Sequence, residues 1–411
     1  MTTSRWAILG VCVLGFMQTH IHRVGFAPLI PTFITDLGIS YVAAGTIMTS
    51  YFWTYAAVQV PIGVLTDRLG ARRVMLTFMS LLVLGVIAFT LSRTYAQSLL
   101  ARCLIGLGTA AVWLPGLRLI NERFPPEERG RATGLFSSGG GIGGTTALLV
   151  IPVLAERLGW RLGYALLLAP VLLTLVLVFL VVPSSAPAVS ARHGERVAPA
   201  GSGAAGGTFA VVRRVLATPA MWPFNISVFF SYGAYISLIT WLPIFLIKDA
   251  GLSRAMAGLV TALITAGTIV SWPMAGLVSD RLGRRKPVYL FSQGMSALIC
   301  LAFALLAPGG GFAAAAGIAL LAGLLLGGMV TPFVMVTELF PPSLVGTASG
   351  VVNTFCFVGS LITPVALGYI LDLTGSFPAA FVACGAVQLL ALASAAFTRE
   401  TGMARRSIMV S

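Results

Sequence analysis

The sequence predicts an all-α membrane protein: twelve transmembrane helices in two pseudo-symmetric six-helix bundles. Three observations carry this expectation. The chain is 57% hydrophobic and 9% charged, with a mean hydropathy of +0.96, whereas soluble domains hold about 25% charged residues. Its halves repeat: residues 63–73 read GVLTDRLGARR and residues 276–286 read GLVSDRLGRRK, while DLGISYVAAG from Asp36 returns as DAGLSRAMAG from Asp249, both at an offset of 213. A third pair, ERFPP from Glu122 and ELFPP from Glu338, is offset by 216. An apolar unit of roughly 200 residues present twice is the signature of a membrane repeat. The third observation is the distribution of basic residues. With the N-terminus placed in the cytoplasm, 18 of the 26 Lys/Arg fall in cytoplasmic loops and five in outer loops, with Arg23, Arg102 and Arg118 inside spans. That asymmetry follows the positive-inside rule and puts both termini in the cytoplasm.

Taken in order, apolar runs are expected to span at 6–33, 42–66, 74–93, 96–121, 131–156, 162–183, 221–247, 256–279, 287–307, 312–338, 345–371 and 376–397. Each is long enough for about 30 Å of hydrocarbon. Helices are the expected form, because the alternation of barrel strands is absent. The first run is too long for a signal-peptide core and lacks a small-residue cleavage site, so it is read as a span. Residues 184–218, rich in Pro, Gly, Ala and Ser, read as a flexible cytoplasmic linker carrying a solvated His193. The domain reading is therefore residues 1–183 as one bundle, 184–218 as linker and 219–411 as the second bundle.

The net charge of +14 invites a nucleic-acid partner, but its placement in short loops beside spans argues for membrane topology instead. The expected setting is a bacterial cell inner membrane, with the lipid bilayer as surroundings and the chain as a monomer. Cys12, Cys103, Cys300, Cys356 and Cys384 all fall within spans without metal-ligand spacing and read as packing residues. No cofactor and no metal are expected. With no nucleophile constellation and no soluble catalytic domain, an enzyme or membrane sensor is a remote alternative.

The charges inside spans are the most informative residues. Arg23 lies deep in the first span and Arg102 in the outer third of the fourth. A buried charge there costs at least about 2.5 kcal/mol, so it demands a partner, a cavity or a purpose. The internal repeat acts as a control: the equivalents are Ile236 for Arg23 and Ala315 or Ile318 for Arg102. The repeated unit itself does not require these arginines, which argues for an anionic ligand. Guanidinium suits that purpose, being permanently charged and forked to match carboxylate or phosphate. His20 is about 60° from Arg23 around a helix and His22 about 100° away; either is a candidate to carry a proton.

Several stretches resemble one known family. GVLTDRLGARR is similar to the loop 2–3 signature of the major facilitator superfamily, and LLARCLIGLGTAA (residues 99–111) to its fourth-helix motif. HRVGFAPLIPTFITDLGIS, AAGTIMTSYFWTYAAVQVPIGVLTDRLGARR, FPPEERGRATG, GWR at Gly159–Arg161, WLPIFLIKDAGLS and GVVNTFCFVGSLITPVALGYILD resemble the anion:cation symporter family within it. The resemblance implies two six-helix bundles around a central cavity and alternating access. It matches Arg23 and Arg102 to that family's anion-binding arginines. Some members carry an aspartate before the first arginine and a glutamate seven residues after the second; here those positions hold His22 and Thr109. Carboxylate-based proton handling is therefore not expected, and His20 or His22 is the candidate replacement.

On this reading the chain is expected to be a secondary transporter of a small organic anion, a carboxylate, by proton symport. The alternatives are an anion exchanger or an efflux carrier. Tyr232, Tyr235 and Asn353 are candidates to orient the anion from the second half, with Asn225, Trp241 and Thr331 as further polar positions. Asp67, Arg68 and Arg72, with their repeat partners Asp280 and Arg281, are expected to latch the halves on the cytoplasmic side. Glu122 and Glu338 could pair there with Arg68 or Arg281. Arg118 precedes Glu122 by four residues and suits a local ion pair or a gate contact. SSGGGIGG (Ser137–Gly144) follows no strand, so it reads as a helix-packing surface rather than a phosphate cradle.

Overall fold

The computed structural model describes residues 4–184, 207–340 and 342–402, and every regular element among them is helical. The elements are α1 (Arg5–Val24), α2 (Ile30–Leu37), α3 (Tyr41–Ala57), α4 (Gln59–Leu69), α5 (Ala71–Leu91), α6 (Tyr95–Thr109), α7 (Trp113–Arg123), α8 (Pro126–Leu158), α9 (Trp160–Ala165) and α10 (Leu168–Val181). They are followed by α11 (Gly207–Leu216), α12 (Trp222–Lys248), α13 (Arg254–Leu282), α14 (Lys286–Leu325), α15 (Thr331–Leu339), α16 (Pro342–Thr374) and α17 (Phe377–Ala396). Eleven helical segments among the described residues are long and apolar enough to cross a membrane. The twelfth expected span, 42–66, is the α3–α4 pair, two helices of 17 and 11 residues interrupted at Val58. α14 covers one expected span and half of the next, with a kink at Gly311 between them.

Local chemistry sets the ends of these elements. Ser40, Thr94 and Ser376 cap α3, α6 and α17, accepting from backbone N–H groups three residues on at 3.1, 3.3 and 3.3 Å. The two repeated loops each turn on a glycine with positive φ, 84° at Gly70 and 61° at Gly283. Only glycine adopts that backbone freely, which explains why DRLG recurs as a unit. The residues expected to be linker end in a helix, α11. Its Val215 is buried and its Val212 and Leu216 pack beside it on a core that includes Phe224, Tyr289, Met335 and Val352, while Arg213 and Arg214 are exposed. Residues 185–206, including His193, lie outside the described residues.

Contacts divide the chain into two compact units. One holds α1–α10 together with residues 239–266 of α12 and α13; the other holds α11, the rest of α12 and α13, and α14–α17. In the first unit α1 lies along α8, and α6 packs against both α3 and α5. The Gly-x-Gly of α6 explains the second arrangement. A Cβ on Gly106 would sit 2.1 Å from the Tyr51 carbonyl oxygen of α3, and one on Gly108 would sit 2.3 Å from the Leu82 backbone nitrogen of α5. Each glycine thus admits one neighbouring backbone, the close approach that small residues permit in membranes. Gly106→Ala is expected to cost about 1–3 kcal/mol through overpacking, read as a lower Tm in detergent. An unchanged Tm would show that α3 and α6 separate at no cost.

In the same unit, Lys248 donates to the Tyr41 hydroxyl (2.9 Å), and the Trp241 and Tyr41 rings meet at 5.8 Å. Thr145 and Thr265 share a hydrogen bond of 3.1 Å. The ends of α12 and α13 nearest their connecting loop therefore rest on α3 and α8.

Candidate functional site

The first span is broken, and the candidate site sits at the break. α1 stops at Val24; Gly25 donates back to Ile21 (2.9 Å), residues Ala27–Leu29 form a single 3-10 turn, and α2 resumes at Ile30. Pro28 and Pro31 supply no N–H across this stretch, which interrupts the α-helical ladder. The last carbonyls of α1 consequently need other donors.

Arg102 of α6 supplies them. Its Nη1 donates to the His22 carbonyl, and its Nη2 to the carbonyls of Arg23 (3.2 Å) and Met48 (3.4 Å). The side chain is fully buried, with its guanidinium 5.4 Å from the Tyr51 ring and 5.7 Å from that of Phe26. Tyr51 is held in turn: its hydroxyl donates to the Thr19 carbonyl (3.2 Å) and accepts from Thr109 Oγ1 (2.7 Å). α1, α3 and α6 are thereby joined through one set of polar atoms.

Arg23 lies at the same break but is only half-buried. Its guanidinium stands 5.0 Å from the Tyr55 ring and 5.8 Å from those of Tyr51 and Phe52, a cation over aromatic faces. Nη1 meets His20 Nε2 at 3.3 Å. His20 Nδ1 meets the Phe16 carbonyl oxygen at 3.3 Å. A carbonyl only accepts, so Nδ1 carries the proton and Nε2 offers its lone pair to Arg23. Among the described residues, neither Arg23 nor Arg102 forms an ion pair with a carboxylate. His22 is placed differently from His20: fully buried, with Nδ1 3.1 Å from the Tyr164 hydroxyl.

The glycines of α8 are spent on this same arrangement. Cβ atoms on Gly139 and Gly143 would lie 2.7 and 2.4 Å from the Val13 and Met17 carbonyls of α1, and one on Gly140 would lie 2.9 Å from the His20 ring. The SSGGGIGG stretch is a bed for α1 and leaves room for the imidazole.

In the second unit, Tyr232 and Tyr235 are half-buried, with ring centroids 6.5 Å apart, and Asn353 is exposed. Asn225 is fully buried and neither of its side-chain polar atoms has a hydrogen-bond partner among the described residues. Trp241 is buried beside Tyr41 and Thr331 is buried at the start of α15.

The residues expected at a cytoplasmic latch fall into separate clusters. The Asp67 side chain lies outside the described residues; Arg68 and Arg281 are exposed. Arg72 donates to the Phe179 carbonyl (2.5 Å) and to Ser184 (2.7 Å), fastening α5 to the end of α10. Arg118 donates to Glu122 (2.6 Å) and also to the Thr66 carbonyl, so it joins α7 to α4 as well as forming the local pair. Glu338 meets Arg285 (3.0 Å), not Arg281, and the same guanidinium donates to Asp280. Arg285 was not singled out from the sequence, although its place in the repeated DRLGRR was the available signal. Glu400 was missed altogether. Burial alone would raise its pKa, but N–H groups of Arg285, Lys286, Gly402 and Thr401 hold the carboxyl below the usual range. Tyr51 and Tyr55 were also missed, although their spacing of four places both on one helix face.

Among the described residues there is no cluster of three or more His, Cys, Asp or Glu able to hold a metal ion. Cys300 and Cys384 are buried with their sulfurs 3.7 Å apart.

Residues 8–256 and 226–408 match the model of the Major Facilitator Superfamily. A probable sulfoacetate transporter of Cupriavidus necator is 27% identical over 405 residues, 93% of this chain and 91% of its own length. A probable galactarate/D-glucarate transporter of Bacillus subtilis is 26% identical, covering 96% of this chain and 91% of its own. Among solved structures, a bacterial homologue of the human lysosomal transporter Spinster, inward-facing and unoccupied, superposes with a TM-score of 0.78 at 18% identity, over 97% of this chain and 95% of the other.

Proposed function

The chain belongs to the Major Facilitator Superfamily and is a multi-pass membrane transporter, not an enzyme; on that premise we propose that it carries a small organic anion across a bacterial inner membrane by alternating access, coupled to a proton. One observation carries the reading: the half-buried Arg23 guanidinium, set among aromatic rings and meeting no carboxylate among the described residues. A permanent cation so placed is complete only when an anion arrives. The two relatives above are named for organic anions, which supports the same class. Both termini face the cytoplasm, as the basic asymmetry requires. Residues 1–183 and 219–411 are the two halves that alternate. Arg72, the Arg118–Glu122 pair and the Asp280–Arg285–Glu338 cluster brace the cytoplasmic side, each within its own unit.

Anion exchange is the second reading, favoured by the same lack of an acid. A site whose Arg23 guanidinium meets no carboxylate among the described residues is costly to close without an anion, so an outgoing anion would be needed for return.

A thermal-shift panel on the purified carrier tests the class. Sulfoacetate, D-glucarate, D-glucuronate, inorganic phosphate and a set of organic cations would each be titrated. At least one organic anion should raise Tm saturably; binding at 100 times Kd contributes about 2.7 kcal/mol. A rise with cations alone would overturn the reading.

A further inference from the structure

We infer that Arg102 is a positioning residue that caps the broken end of α1 and thereby aims Arg23, without itself touching the carried anion. This rests on the reading that Arg23 receives the anion, and it reassigns the second of the two arginines from ligand to scaffold.

The donor inventory comes first. A guanidinium has five N–H groups, and the two terminal nitrogens of Arg102 are both engaged with main-chain oxygens. Two of the three acceptors are the carbonyls of His22 and Arg23, within the last turn of α1. That turn is the negative end of the helix dipole, where a cation is favoured. The third, Met48, ties the same guanidinium to α3. One planar fork thus holds three backbone oxygens from two helices, which a single ammonium on a flexible stem reproduces poorly.

The position follows from packing. Gly106, one turn after Arg102, brings α6 into contact with the α3 backbone at Tyr51. That approach buries Arg102 completely, whereas Arg23 retains exposure. The bond to the Arg23 carbonyl acts on the backbone of the ligand-facing residue itself. It sets the direction from which the Arg23 side chain reaches His20, one turn back, and Tyr55.

The internal repeat supplies an independent comparison. The span equivalent to the first one is α12, which runs as one helix from Trp222 to Lys248 although Pro243 lies inside it. The position equivalent to Arg102 is Ala315 or Ile318, both buried and apolar. The half with a broken helix has the arginine, and the half with a continuous helix lacks it. Apart from the Ile239 carbonyl, which faces Pro243, that helix bonds its own carbonyls in mid-span and needs no donor fork like that of Arg102.

Two measurements on the full-length carrier decide the matter. The first is modification by phenylglyoxal, an arginine-selective dicarbonyl, mapped by mass spectrometry with and without sulfoacetate or D-glucarate. Arg23 should react and Arg102 should stay inert in all samples. Reaction at Arg102 at a rate comparable to Arg23, or protection of Arg102 by an anion, would overturn the inference. The second compares Arg102→Lys and Arg102→Met by anion titration across pH, scored on folded protein only. A positioning role predicts that both lose affinity to a similar degree, roughly ten- to a hundredfold, the worth of one misaligned charge-assisted hydrogen bond from Arg23. It also predicts that both shift the pH midpoint of binding, because the Arg23–His20 contact is misaligned. If Lys restores wild-type affinity, Arg102 acts as a charge on the ligand and the inference fails. If affinity and midpoint are unchanged in both, its role is confined to stability and the inference fails as well. Failure of the proposed function is separately visible, as absence of anion binding to the unmodified carrier, and the labelling contrast without anion still judges Arg102.

Discussion

Arg23→Gln is expected to abolish uptake of the carried anion while leaving a folded carrier in the membrane. Removing one partner of a desolvated, hydrogen-bonded charge pair costs about 3–5 kcal/mol. With each 1.4 kcal/mol worth tenfold, affinity falls by at least about a hundredfold. The stability effect is expected to have the opposite sign. A charge within a span costs at least about 2.5 kcal/mol, and the contact of Arg23 with the Tyr55 ring returns only about 0.5–2 kcal/mol. Without anion, the Gln variant should therefore melt at the same temperature as the parent or higher, and the anion-induced rise in Tm should vanish. This pattern of function lost and stability kept is typical of a residue retained for a ligand. A variant with normal anion affinity would make Arg23 structural and remove the basis for the proposed site. A variant with a strongly lowered Tm would show that the guanidinium holds the break in α1 together, a task the geometry gives to Arg102.

The contrast between the two arginines marks how far the sequence could be read. Apolar run length, the internal repeat and the basic asymmetry are local or statistical properties, and they sufficed for an all-helical membrane fold with DRLG turns in equivalent places. Depth in a span was enough to single out Arg23 and Arg102 as costly charges. The helical spacing of His20 and Arg23 puts them on one face, and the structure has their side chains 3.3 Å apart. What lay beyond reach was tertiary. Pro28 and Pro31 announce a weak point in α1, but not that a residue some eighty positions later supplies the missing donors. The interruption at Val58 has a local cause in Pro61, whose missing N–H deprives the Ala57 carbonyl of its helical donor, but the docking of α11 depends on neighbours that no window of sequence contains. Arg285 and Glu400 were overlooked because charges beside spans are read first as topology, and only the structure shows Glu400 seated at the start of α14.

Coupling to the proton is expected to run through His20, and His20→Gln should abolish concentrative uptake while sparing exchange. In the structure, Nδ1–H faces the Phe16 carbonyl and Nε2 accepts from Arg23. The imidazole also meets the Phe16 ring, with centroids at 4.6 Å, and lies over Gly140, and neither ionises. Arg23 is thus the one charged group in contact with this ring among the described residues, and no acid stands beside it to share a proton. A proton on Nε2 would set two donors against each other, so it requires Arg23 to turn elsewhere. A bound anion provides that other acceptor: Arg23 and the protonated imidazole can both donate to it. Anion and proton then favour each other's binding, and by linkage the effect is equal in both directions. His22 is buried against the Tyr164 hydroxyl and beside Arg102 rather than at the Arg23 guanidinium, and His22→Gln should keep the gradient dependence. The measurement is uptake into proteoliposomes with and without an inward proton gradient. For one proton per anion, a gradient of about two pH units supports roughly a hundredfold accumulation. The parent should approach that ratio, and His20→Gln should reach only equilibration while still exchanging internal for external anion. Accumulation by His20→Gln under the same gradient would exclude the imidazole as carrier of the proton. A parent that ignores the gradient but exchanges anions one for one would favour the second reading, in which the permanent charge of Arg23, without a carboxylate partner among the described residues, holds the carrier back until an anion occupies the site.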